Sequence, residues 1–207
     1  GYHALAARYG VALAGGDTTR SESGIAINVT AIGRAEDRHL KRRSAAEAGD
    51  VLYATGPLGA SGAGLLDILA GRYDTPLAAV HRNPKPRVAE GCWLGARAEV
   101  HAMMDLSDGL ASDVRHIMER SGVGAVLDLE RIPVAAGADL QTAACGGEDY
   151  ELLFSSSPTE AAQLEADYRA AFGEPLYAVG RIVEGDGLAW LREGVEIRFD
   201  WRGFEHY

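Results

Sequence analysis

Residues 103–113 read MMDLSDGLASD, and the reading of this stretch decides the fold. An apolar run ends here in acidic and hydroxyl side chains, then resumes at a different spacing. Upstream, His101 to Met104 has the character of a short buried strand. Downstream, Leu110, Val114 and Ile117 recur at helical intervals. The stretch is therefore a strand-to-helix junction, with Asp105, Ser107 and Asp108 at its mouth. One Asp or Ser suffices to cap the free N–H groups of a first helical turn and to complement the positive end of its dipole. A second carboxylate three positions earlier, still on the strand, adds repulsion unless a cation or a proton lies between the two. The cluster invites a metal reading.

Working outward, strands and helices alternate on both sides. DVLYATG (50–56) reads as a strand, GASGAGLLDILAG (59–71) as a glycine-rich turn opening a helix, and KPRVAEGCWLGARA (85–98) as a helix entered through prolines. Beyond the junction come a strand in GAVLDL (124–129) and a loop and strand in GGEDYELLF (146–154), with Tyr150, Leu152 and Phe154 expected on one face. A helix in PTEAAQLEADYRAAFG (158–173) precedes closing strands near LYAVGRI (176–182), LAWLREG (188–194) and VEIRFDW (195–201). This order predicts a layered α+β domain. Toward the start, a helix over Tyr2–Arg8 leads to predicted strands in VALAGG (11–16) and GIAINVTAIG (24–33), the latter with Ile25, Ile27, Val29 and Ala31 on one face. The charged run RAEDRHLKRRSAAEAGD (34–50) breaks the pattern. A domain boundary is expected near Ala48, with 1–47 the end of an earlier domain and 48–207 a C-terminal domain.

The 207 residues carry a net charge of −10, and the longest basic run is HLKRR at 39–43, which argues against a nucleic-acid partner. Cys92 and Cys145 lie far apart without CxxC spacing, as suits a reducing, cytoplasmic setting. No apolar run approaches the ~20 residues that span a bilayer. The chain opens at Gly1 inside an amphipathic helix, which we read as the later part of a longer protein.

Two segments repeat one design. AGGDTTR (14–20) places Asp17 after two glycines at a predicted strand end, with threonines following, just as Asp105 to Asp108 combine carboxylates with a hydroxyl. A polar turn would use the same residues. Hard oxygen donors in this arrangement suit Mg²⁺, which keeps several waters and takes one or two protein carboxylates along with substrate phosphates. Zinc spacing is absent, and none of the six histidines pairs with another at ligand spacing. No GxxxxGK[ST] occurs, the only lysines are Lys41 and Lys85, and the HRD and DFG signatures of protein kinases are missing. The glycine-rich TGPLGASGAGLL (55–66) opens a helix and either seats an anion or allows close strand-to-helix packing. Arg43 is a candidate phosphate or base contact, or part of a solvated charged face. The acids of GGED, after two glycines that permit a tight turn or close approach to a ligand, are either a ligand contact or a structural pair.

Taken together, GGDTTR with GR at 33–34, GDVLYATGPLGASGAGL, HRNPKPRV, MDLSDGLASDV, GGEDYELLF and the terminal DWRGFEHY resemble, in order and across the whole chain, thiamine-monophosphate kinase. That family sits within a wider group similar to aminoimidazole ribonucleotide synthetase. The resemblance implies ATP-dependent phosphorylation of thiamine monophosphate to thiamine diphosphate, by direct in-line transfer with Mg²⁺ ions, in a cytoplasmic homodimer. Residue by residue it implies Asp17, Asp105 and Asp108 as magnesium ligands, and Gly16, Asp17, Arg43 and Ser107 as nucleotide contacts. Glu148 and Phe204 are implied as contacts to thiamine monophosphate. The early segments of the family, with further magnesium ligands, have no counterpart in these residues. The alternatives are another enzyme of the wider group, a selenophosphate or aminoimidazole ribonucleotide synthetase, or a fragment that binds ligand without turnover.

Overall fold

The computed structural model describes residues 1–198 and 201. They form two compact units, Gly1–Glu36 and Asp37–Tyr207. In the first, helix α1 (Tyr2–Tyr9) ends at Gly10 in the left-handed conformation, whose N–H donates to Ala6 O. The strands expected over 11–16 and 24–33 do not form, and Ile25 and Ile27 stand 91% and 71% exposed. Alternation supplies a face but no ladder. A strand exists only against a hydrogen-bonded neighbour, and none of the described residues pairs with these segments.

The second unit holds β1 (Val51–Ala54), α2 (Ala60–Leu69), α3 (Pro76–Arg82), α4 (Val88–Gly95), β2 (Val100–Asp105), α5 (Leu110–Ser121) and β3 (Gly124–Asp128). It continues through α6 (Leu140–Cys145), β4 (Leu152–Ser156), α7 (Ala161–Phe172), β5 (Tyr177–Val183), β6 (Leu188–Arg192) and β7 (Val195–Ile197). Seven strands make one sheet in the order β2-β4-β1-β5-β3-β6-β7. All pairings are antiparallel except β3 with β6. The expected layered α+β domain is what the chain adopts. Helix α3 lacks a counterpart in the sequence reading, although Thr75 followed by Pro76 is a helix-start signal: the Thr75 side chain accepts the N–H of Ala78.

Strand alternation divides the core in two. Leu52, Ala54, Ala102, Met104 and Leu153 join Leu110, Val114 and Ile117 of α5 on one face. On the other, Tyr53 and Phe154 stack at 5.2 Å and pack with Leu94 of α4 and Leu164 and Tyr168 of α7. Each large apolar side chain so buried contributes about 1.5–3 kcal/mol. The helical spacing that opened the sequence reading is thus the stripe by which α5 lies on the sheet, with its N-terminus at the Asp105 end of β2. The unit reaches back to Asp37, upstream of the boundary read near Ala48. Lys41 Nζ donates to Arg97 O (2.5 Å), Ala46 N–H to Ser121 Oγ (3.1 Å), and Ser121 Oγ to Arg43 O (2.7 Å). Main-chain hydrogen bonds of this kind leave no trace in charge patterning.

Candidate functional site

The two unusual stretches of the sequence meet side by side. β2 delivers Asp105 and β4 begins at Leu152, directly opposite it in the ladder. The adjoining loops continue the pairing: Leu106 N–H donates to Glu151 O (2.7 Å), Tyr150 N–H to Leu106 O (2.9 Å), and Glu148 N–H to Ser107 O (2.8 Å). Glycine makes this approach possible. A Cβ on Gly147 would lie 2.5 Å from Ser107 O, and one on Gly109, whose φ is 99°, would lie 2.8 Å from the Cys145 carbonyl carbon. Glu148 and Tyr150 have φ of 67° and 52°, which costs each of them about 1–3 kcal/mol. Tyr150 therefore precedes the strand and does not share the face of Leu152 and Phe154 as expected. Strained non-glycine backbone held in place by its surroundings is a mark of functional loops.

The side chains of this turn go to different places. Glu148 is exposed, and its charge, after burial, raises the Tyr150 hydroxyl pKa. Asp149 turns inward, where its carboxylate accepts the N–H groups of Gly59 (2.6 Å) and Ser61 (3.1 Å) at the start of α2. This resolves the glycine-rich loop: the anion at that helix start is the protein's own, so no exogenous phosphate is needed there. Burial pushes the Asp149 carboxyl up to about 6 against those two hydrogen bonds. Glu151 is buried, receives Thr55 Oγ1–H (2.6 Å) and pairs with Arg87 Nη2 (2.7 Å). Arg87 also reaches Glu90 (3.0 Å) and Glu174 (2.7 Å). Of the acids in GGEDYE, two are structural and one faces solvent.

Asp105 is exposed, and Ser107 and Asp108 are partly so. Beneath them Asp113 is fully buried; its Oδ2 accepts the N–H of Asp108 (3.1 Å), and its Oδ1 has no partner among the described residues. Burial, assisted by the charges of Asp108 and Asp105, pushes the Asp113 carboxyl up to about 6. His116 brings a ring nitrogen to the same place: one donor each from Asp108, Asp113 and His116 lie within 4.8 Å of one another. Sequence reading missed Asp113 and His116, although their i, i+3 spacing on α5 was a legible signal. Beside Asp105 opens a cavity of about 450 Å³ lined by Pro84, Pro86, Arg87, Val88, Asp105, Tyr150 and Leu152.

The remaining candidates belong to other segments. Gly16 and Asp17 are exposed in the first unit, where Asp17 Oδ1 accepts the N–H of Thr18 (2.8 Å). Arg43 is exposed, and its main chain is tied to Ser121 at the far end of α5 from Asp108, roughly 18 Å along a helix of that length. Phe204 lies outside the described residues.

Residues 47–190 match the family described as AIR synthase related protein, C-terminal domain. Thiamine-monophosphate kinase of Salmonella typhimurium is 36% identical over 220 residues, covering 99% of this chain and 66% of the relative. The enzyme of that name from Methanospirillum hungatei is 35% identical over 211 residues, covering 100% of this chain and 67% of the relative. The chain belongs to the thiamine-monophosphate kinase family. Among solved structures, AaThiL complexed with AMPPCP and TMP superposes with a TM-score of 0.65 at 28% identity, covering 80% of this chain and 53% of that one. The chain thus spans about half to two thirds of the length of these family members. The match over 47–190 also bears out the wider group to which the motifs pointed.

Proposed function

We propose that this chain carries the substrate-facing part of an ATP-dependent kinase that converts thiamine monophosphate to thiamine diphosphate. The observation that carries the reading is the clasp of 105–109 with 146–151, which brings the loop of Asp105, Ser107 and Asp108 against that of Glu148, beside a cavity of about 450 Å³ lined in part by Asp105 and Tyr150. A family member complexed with AMPPCP and TMP supports the same pair of substrates.

Carboxylates at Asp105 and Asp108 with the Ser107 hydroxyl form an all-oxygen set open to solvent, which fits Mg²⁺. These residues would hold it, and when bound it supplies neutralisation of phosphate charge. The chain's own task is positioning. Tyr150, Pro84, Pro86 and Leu152 offer an apolar wall for a flat heteroaromatic ring, and Asp105 beside them favours a cationic one. A phosphate oxygen of the monophosphate attacks the γ-phosphorus of ATP, the new P–O bond forms opposite the leaving oxygen, and ADP departs. Rigid seating of the acceptor is where most of the rate arises in such transfers. No protein nucleophile is required.

Residues 1–47 are read as the end of a nucleotide-binding domain, in which Gly16 and Asp17, with Arg43, contact ATP and magnesium. Phe204 completes the substrate contacts of Glu148. The protein works as a cytoplasmic homodimer. No helix among the described residues is long and apolar enough to cross a membrane.

The test is thiamine diphosphate formation from thiamine monophosphate, ATP and Mg²⁺ by the protein carrying this chain, with Asp105→Asn beside it. The substitution should lower turnover by more than ~100-fold, or ~2.7 kcal/mol of transition-state stabilisation, with an unchanged circular dichroism spectrum. Wild-type turnover in Asp105→Asn would sink the metal assignment.

A further inference from the structure

The all-oxygen set of Asp105, Ser107 and Asp108 leaves unexplained what lies beneath it. We propose that Asp108, Asp113 and His116 form a site for one divalent ion of the Mn²⁺ to Zn²⁺ series, which shares the Asp108 carboxylate with the magnesium set and adds to it a buried carboxylate and an imidazole. This rests on the donor set itself and does not require the kinase reading.

Three observations converge. First, the donors are already gathered within 4.8 Å. Three ligands at ~2.1 Å from one ion stand roughly 3.0–3.6 Å from one another, so capture needs side-chain movements of no more than about 1–2 Å. Second, Asp113 is 0% exposed and its Oδ1 lacks a hydrogen-bond donor among the described residues. A buried carboxylate oxygen in that state is costly unless a cation or a proton meets it. Third, Asp113 and His116 are one turn apart on a single face of α5, the spacing by which a carboxylate and an imidazole on one helix converge on a metal in helical metal sites.

The loop bearing Asp108 is fastened to that same helix, because the Asp108 N–H donates to Asp113 Oδ2 (3.1 Å). The third ligand is thereby held by the second, which reduces the ordering cost of binding. His116 is only partly buried and leaves a route for entry. Imidazole decides the class of ion: Mg²⁺ favours oxygen donors and water, whereas first-row transition ions and zinc accept mixed nitrogen and oxygen sets. Three protein ligands leave coordination positions for water or for an oxygen of a bound anion.

The probe is Zn²⁺ itself, titrated calorimetrically into metal-free protein under a large excess of Mg²⁺ that saturates all-oxygen sites. Wild type should show a saturable event that His116→Gln and the near-isosteric Asp113→Asn each weaken by at least ~10-fold, while Asp105→Asn retains it. Circular dichroism confirms the fold, and His116→Gln, at a partly exposed position, keeps the test available should Asp113→Asn perturb the helix. Identical Zn²⁺ titrations of wild type and His116→Gln overturn the proposal, as does loss of the event in Asp105→Asn. The turnover of Asp105→Asn is read separately, so failure here and failure of the kinase reading are distinguishable.

Discussion

Replacing Arg87 with methionine should unbalance the most heavily charged part of the interior. The guanidinium is 7% exposed and serves Glu90, Glu151 and Glu174, whose side chains are 6%, 11% and 44% exposed. Glu174 is solvated enough that its pair contributes well under 1 kcal/mol. Glu90 and Glu151 would be left as buried charges, and removing one partner of a buried pair costs about 3–5 kcal/mol. Two compensations reduce this. Lys85 stands 3.5 Å from Glu90, and Thr55 still donates to Glu151. The net expectation is about 3 kcal/mol, a fall of roughly 1.5 M in urea midpoint at a slope of ~2 kcal/mol/M. The sign with pH is definite. Burial raises the Glu90 carboxyl, but its backbone hydrogen bond and Arg87 outweigh that and hold it below the usual range; Arg87 does the same for Glu174. Groups so depressed contribute stability above their unfolded pKa and lose it as pH falls through the folded value. Without Arg87 the stranded acids can instead escape their burial by protonation, so the gap between Arg87→Met and wild type should shrink from pH 8 to pH 5. Urea unfolding at the two pH values measures this. A loss below 1 kcal/mol at pH 8, or a gap that widens on acidification, would refute the reasoning.

Gly147→Ala must open the clasp by nearly an ångström at Ser107 O; overpacking of this kind costs about 1–3 kcal/mol, a Tm drop of several degrees by calorimetry, and an unchanged Tm would refute it. Asp149 titrates at about 6 in the folded chain against an ordinary aspartate value of 3.8, so the native state holds its proton longer and the carboxyl's contribution to stability falls as pH rises from 3.8 to 6. Relative to wild type, Asp149→Asn should therefore gain up to about 3 kcal/mol across that window in pH-dependent denaturation, and a flat difference would contradict it. Cys145, pushed up to about 11 by burial, should react with iodoacetamide at pH 8 far more slowly than exposed Cys92; equal labelling of both by mass spectrometry would show that the Gly109 to Cys145 packing opens readily.

The sequence disclosed most where local chemistry and periodicity agree. The α5 stripe, the strand ending at Asp105 and the glycines before Glu148 were readable because helix spacing, turn residues and apolar runs are all short-range signals. What stayed hidden depends on distant partners. Nothing in HRNPKPRV announces that Arg87 meets Glu151, and nothing in GGED tells which acid will turn inward to α2, since both are settled by neighbours more than sixty residues away. The strands expected over 11–33 failed for the complementary reason: their alternation was real, but pairing is a property of two segments. Asp113 and His116 fall between these cases, legible in spacing yet given weight only by the burial of α5.

The turn from Glu148 to Glu151 faces solvent with one acid, ties α2 with the next and holds the Arg87 end of α4 with the last, while its main chain grips the loop after β2. It cannot be transplanted as a peptide. A designer wishing to move this turn to another scaffold would have to bring two helix starts and an edge strand with it. Changes to this surface are better made at exposed Glu148 and at Val88 on the cavity wall, where a side chain can vary without disturbing the joints beneath.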